Sequence, residues 1–98
     1  MKTIKNRHQS ADDLSGCVNI GKDTEKKLKK AGIDSVSKLK AVGTEQAFIR
    51  LQAMDPGACI QLLYGLDGAV SGIKATELSQ QRKEELKAFH RMVRKKLQ

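Results

Sequence analysis

Between its glycines this chain repeats apolar residues at intervals of three and four, the period of a helix, and nowhere alternates long enough to suggest a strand. The pattern predicts five short helices. The first opens at Asp23 or Thr24 and runs to Ala31, with Thr24, Leu28 and Ala31 on a narrow inner face and Gly32 as its left-handed terminator. Ser35 caps a second helix, whose Val36 and Leu39 point inward and which Gly43 closes. Thr44 is the cap candidate for a third, with Ala47, Phe48, Leu51 and Met54 on one face and Pro56 and Gly57 as its stop.

Residues 58–70 are apolar nearly all round, so this segment is expected to be the central helix, covered on most sides. Gly65 and Gly68 within it each cost about 1 kcal/mol relative to Ala. That cost suggests close approach of a neighbouring helix. Ser79 starts the last helix, with Leu86, Phe89, Val93 and Leu97 inward. Its early Glu84 and Glu85 and late Arg94, Lys95 and Lys96 complement the helix dipole. Residues 1–12 have no periodicity and read as a loose arm, which leaves 13–98 as one compact all-α domain.

Composition narrows the functions open to such a domain. The only aromatics are Phe48, Tyr64 and Phe89, too few for a stacking platform on single-stranded nucleic acid. No apolar stretch is long enough to span a bilayer, and the polar start, Met1 to Leu14, lacks a signal-peptide core. A cytoplasmic location and no membrane partner are expected. Cys17 and Cys59 lie 42 positions apart with no close-spaced Cys or His, so neither a zinc site nor a redox pair is expected. Both read as small semi-buried residues of a reducing compartment.

The net charge of +8 is unevenly spread. Residues 22–40 hold seven lysines against three acids, and residues 82–98 seven bases against two acids, while the apolar middle is slightly acidic. Segregation of this kind suits a polyanion-binding surface, although two solvated helix faces would leave the same pattern. Asp23 with Lys27 and Glu25 with Lys29 stand at the favourable spacing of four with the acid first, and so account for two lysines locally. Lys22, Lys26 and Lys30 remain. They form a like-charged row beginning at the helix N-terminus, where the dipole opposes a cation. Lys87, Arg91 and Lys95 make a second row on the last helix.

Asn19, Ile20 and Gly21, followed by a helix and then Ala31, Gly32 and Ile33, resemble a helix-hairpin-helix element. There a tight glycine turn presents backbone N–H groups to a phosphate without reading any base. DNA-binding versions usually carry two glycines, whereas Asn19 occupies the first position here, and Asp23 places an acid where a base is common. The longer pattern Asn19-Ile20-Gly21, Leu28, Ala31-Gly32-Ile33, Val36, Leu39, Gly43, Ala47-Phe48, Arg50-Leu51, Leu62-Leu63-Tyr64, Leu66, Gly68-Ala69, Gly72 and Leu78 resembles the C-terminal domain of the TfoX/Sxy family of bacterial competence regulators. The resemblance covers roughly residues 13–90. It implies an all-helical fold, a bacterial source and a role near DNA uptake or transcriptional control. It also implies a stand-alone copy, since in the family this domain often follows an N-terminal α/β domain that is missing here.

Catalysis needs a convergent nucleophile, base and orienting group, or a metal cluster. His8 lies in the arm and His90 beside the apolar face of the last helix, where it reads as a packing or capping residue. Cys59, placed inside an apolar helix, reads as a poor nucleophile. No enzyme activity, cofactor, metal or small-molecule substrate is expected. Two functions stay open. One is non-sequence-specific association with the duplex DNA backbone through Asn19, Ile20, Gly21, Lys22, Lys26 and Lys30, with Lys87, Arg91 and Lys95 as a secondary surface. The other is a protein-interaction or adaptor domain, with a homodimer as one form of it, in which the hairpin only packs helices.

Overall fold

In the computed structural model, which describes residues 12–17 and 19–97 with side chains as far as Arg94, the helices follow the predicted order. α1 spans Lys22–Lys30, α2 Val36–Val42, α3 Thr44–Met54, α4 Ile60–Ser71 and α5 Gln80–Leu97. Short 3-10 turns at Leu14–Gly16 and Ala75–Glu77 precede α1 and α5. No strand occurs among the described residues, so the chain is all-α. The arm expected over residues 1–12 lies outside the described residues as far as residue 11. Its last member, Asp12, is anchored: its carbonyl accepts from the Val36 N–H at 2.8 Å and its carboxylate from the Ser37 N–H at 2.8 Å.

Local punctuation sets the boundaries. Gly32 and Gly43 take positive φ angles of 85° and 91°, the left-handed backbone that ends a helix cheaply only at glycine. Ser35 Oγ accepts from the Lys38 N–H at 3.1 Å, and Ser79 Oγ from the Arg82 N–H at 3.0 Å, so both serines cap as expected. Thr44 does not. Gly43 holds the cap position of α3, and the Thr44 hydroxyl instead donates to Asp67 Oδ1 at 2.9 Å. A bond to a buried carboxylate is charge-assisted and stronger than a neutral capping bond.

α4 is the central helix, in contact with α2, α3, α5 and the 3-10 turn before α5. Leu28, Ile33, Leu39, Phe48, Leu51, Leu63, Leu66 and Leu86 are fully buried around it. Phe48 meets Phe89 edge-on with ring centroids 6.3 Å apart, and lies 5.7 Å from the His90 ring. His90 is buried with Nε2 3.3 Å from the Ala58 carbonyl, the packing role expected of it. Met54, expected inward, is 43% exposed. It is the last residue of α3, beyond which the chain turns away through Pro56 and Gly57.

One charge lies within this apolar centre. Asp67, on α4, is 4% exposed and accepts from Arg82 Nε at 3.0 Å and Nη2 at 2.8 Å, besides Thr44. Arg82 reaches on to Glu45 and Glu85, both at 3.2 Å. The start of α3, the middle of α4 and the start of α5 are thus tied by one guanidinium. Burial pushes the Asp67 carboxyl up, but the Arg82 bonds and the Thr44 hydroxyl outweigh it and hold the group below the usual carboxylate range.

The α4 glycines do permit close approach, though of a turn and a connection rather than of a helix. A Cβ on Gly65 would lie 2.9 Å from the Asn19 carbonyl oxygen. One on Gly68 would lie 2.8 Å from Asn19 Nδ2 and 2.8 Å from the Ile73 carbonyl oxygen. Both distances are shorter than side chains tolerate, and the obstacle is largely backbone. The Asn19 amide then closes a long-range clamp, with Nδ2 donating to the Ile73 carbonyl at 2.7 Å and Oδ1 accepting from the Ala75 N–H at 2.9 Å.

Three stability predictions come from these contacts. Arg82→Ala leaves a buried carboxylate unpaired, which costs about 3 to 5 kcal/mol in a fully buried pair. Because Arg82 is itself 30% exposed, urea unfolding is expected to show a loss of about 2 to 3 kcal/mol. The lowered Asp67 pKa means that its contribution is present above the unfolded value of 3.8 and is lost as pH falls through the folded one. Asp67→Asn should be less stable at neutral pH and show a flatter acid limb. Asn19→Ala removes both partners of the connection and should cost about 1 to 2 kcal/mol, with faster hydrogen exchange at the Ala75 amide.

Candidate nucleic-acid interface

α1 divides its five lysines by geometry. Leu28 is fully buried and sets the inner face, so at 100° per residue Lys22, Lys26 and Lys30 fall on the opposite side. All three are exposed, and among the described residues none takes part in an ion pair. Lys27 and Lys29 are engaged as their spacing predicts, Lys27 with Asp23 at 3.0 Å and Lys29 with Glu25 at 2.9 Å. Lys27 also meets Asp55 at 2.8 Å, a contact across to the end of α3 that spacing alone does not reveal. The Asp55 hydrogen bond, seconded by Asp23, raises the Lys27 pKa, and Lys27 in turn lowers that of Asp55.

At the head of α1 the three turn residues have separate roles. Asn19 spends its side chain on the clamp to Ile73 and Ala75. Ile20 is 6% exposed and belongs to the core. Gly21 is exposed and caps α1 without a side-chain hydrogen bond, so no capping side chain of its own covers the first-turn N–H groups. Its φ of −81° and ψ of 173° are ordinary extended values, and a Cβ at Gly21 would meet nothing within 4 Å. The unusual backbone angles for which glycine is suited are therefore not used at this turn. The element before it is a single 3-10 turn, Leu14–Gly16, where a hairpin would have an α-helix.

The second basic row stands apart from the first. α1 meets α3 where Arg50 Nη1 donates to the Ala31 carbonyl at 3.3 Å, whereas α5 meets it through Glu45 and Phe48. Arg50 and Phe48 project from α3 roughly 160° apart, so α1 and α5 flank α3 on different sides. On α5, Lys87 is exposed and 3.6 Å from Glu84, and Arg91 is exposed with no ion pair among the described residues. The Lys95 side chain lies outside the described residues.

Among the described residues, no group of three His, Cys, Asp or Glu side chains is placed to hold a metal ion. Cys17 is half-buried. Cys59, expected inside the apolar helix, is exposed in the position just before α4, because the helix starts at Ile60. No helix among the described residues is long and apolar enough to cross a membrane.

Two crystal structures resemble this fold closely. An uncharacterized protein from Listeria monocytogenes, in a triclinic form, is 44% identical with a TM-score of 0.81 over 83% of this chain and 92% of that one. A protein of unknown function from Listeria monocytogenes, in a tetragonal form, is 44% identical with a TM-score of 0.80 over 83% of this chain and 99% of the other. No curated protein matches the chain. The model of the TfoX C-terminal domain family matches residues 10–90, nearly the whole sequence, and the chain belongs to that family.

Proposed function

We propose that this domain is a non-catalytic binding module that associates with the DNA backbone without reading sequence, in a competence- or transcription-related regulatory role in the cytoplasm. The family points to the regulatory setting. The observation that carries the binding reading is the division of the α1 lysines: those with acid partners are used within the fold, and Lys22, Lys26 and Lys30 are left outward as one row. Three cations on one face repel one another, a cost that a row of phosphates would relieve. Gly21 adds support, since neither its φ nor its surroundings require glycine, while a bare backbone lets a phosphate reach the first-turn amides.

Fluorescence anisotropy against a duplex of arbitrary sequence, at two salt concentrations, tests this. Neutralising three phosphates should give a log-log salt slope of about −2.7. Lys22→Glu with Lys26→Glu should remove most of the binding and flatten the slope. Gly21→Ser should keep or slightly raise stability, because serine is a good cap, yet weaken binding by crowding the amides. Binding unchanged by the double charge reversal sinks the α1 assignment, and absence of binding at low salt sinks the class.

A protein-interaction reading is favoured by a different observation. Ile49 and Met54 on α3 and Met92 on α5 are 39%, 43% and 48% exposed, apolar area that no part of the described fold covers. If α3 forms a homodimer, light scattering after size exclusion should give twice the chain mass. Ile49→Lys with Met54→Lys should then return it to the monomer.

A further inference from the structure

A surface cavity of about 410 Å³ opens between α2, the second half of α4 and the connection to α5, and its lining residues include none of the α1 lysines. Its wall is apolar where Val36, Ala69 and Ile73 line it, and Ile73 is among the large apolar side chains left partly in water. Lys40 and Lys74 line the same hollow. Both are exposed, and among the described residues neither takes part in an ion pair. Val36 and Lys40 stand four residues apart, so α2 presents an apolar group and a cation side by side on one face.

The opposite wall is fixed before any ligand arrives. Asn19 bonds the Ile73 carbonyl at 2.7 Å and the Ala75 N–H at 2.9 Å, which are the residues on either side of Lys74. The Lys74 N–H itself donates to Glu77 Oε1 at 3.1 Å. Backbone on both sides of Lys74 is therefore pinned, and ordering entropy that a loose loop would lose on binding is already spent. Two cations over an apolar surface match an organic anion. The charge it carries is limited, because Glu77 lines the cavity too and the carbonyl end of α4 at Gly72 contributes negative potential. One negative charge is compensated there, whereas a phosphate dianion would be left under-compensated.

We propose that this cavity binds a small monocarboxylate with an apolar body, its charge held between Lys40 and Lys74 and its body laid on Val36, Ala69 and Ile73. This site is independent of the DNA reading, which uses neither lysine.

Benzoate is a suitable probe, followed by proton–nitrogen correlation spectra of the whole chain at constant ionic strength. Millimolar benzoate should move the backbone signals of Lys40, Ile73 and Lys74 saturably. Benzamide has the ring without the charge, and acetate the charge without the ring; each should bind at least about tenfold more weakly. Lys40→Gln with Lys74→Gln should weaken benzoate by a similar factor, and these exposed positions leave the remaining spectrum unchanged. Lys22→Gln with Lys26→Gln, which acts on the DNA surface, should leave benzoate binding as it was. The assignment is overturned if benzoate gives no saturable shift, if benzamide or acetate binds as well, or if the Lys40 and Lys74 variant binds as the parent does.

Discussion

Asn19 sits where side chains on Gly65 and Gly68 would otherwise stand, with its carbonyl against one glycine and its amide against the other. Three parts of the molecule depend on that contact. It brings the turn before α1 down onto the central helix, so that Ile20 reaches the core and the polypeptide leaves Gly21 along the surface. It holds Ile73 and Ala75 through the Asn19 amide, fixing the route from α4 to α5. It also closes one end of the cavity that Lys40 and Lys74 share. Glycine inside a helix costs about 1 kcal/mol, and here that cost is offset by two hydrogen bonds that no larger residue at 65 or 68 would leave room for.

Electrostatics sort the remaining surface. Charges that tie elements together have partners: Arg82 with Asp67, Glu45 and Glu85, and Lys27 with Asp23 and Asp55. A cation committed to an acid offers little to a polyanion, since its field is already largely cancelled at a distance beyond the pair. The +8 of the whole chain is therefore a poor guide to binding. The relevant charge is what remains after pairing, and on α1 that is Lys22, Lys26 and Lys30, displayed opposite Leu28 on a helix that packs by its other face. α5 lies on another flank of α3, so its bases do not lengthen this row.

Local chemistry was legible in the sequence because it acts over a few residues. Ser35 and Ser79 cap, Gly32 and Gly43 terminate, and the acid-first pairs on α1 form at the spacing of one helical turn. What was not legible depends on which helices meet. Thr44 has the local signature of a cap, yet α4 brings Asp67 within 2.9 Å and the hydroxyl goes there. The apolar neighbours of Cys59 suggest a helical position, while the helix begins one residue later. Asp67 did carry a signal, since a lone acid in an apolar helix must find a partner. That partner, Arg82, stands in another helix, and only packing selects it from seven bases in residues 82–98.

The glycines show how far the fold can explain its own sequence and where explanation must come from outside. Gly65 and Gly68 are required by contact, and Gly32 and Gly43 by their positive φ. Gly21 meets neither requirement, and the same holds for Gly16. Gly21 differs from Gly16 in heading a nine-residue helix whose outward face carries the three lysines that have no ion pair among the described residues. A residue that folding leaves free to carry a side chain, placed at the positive end of a dipole and beside that row, is suited to an object that must come close to the backbone and bears negative charge. A neutral protein surface would gain from the closeness alone and would still leave three cations to desolvate. On the proposed reading the phosphate backbone would satisfy both conditions at once, and for that reason the turn and the lysines are more informative together than either is alone.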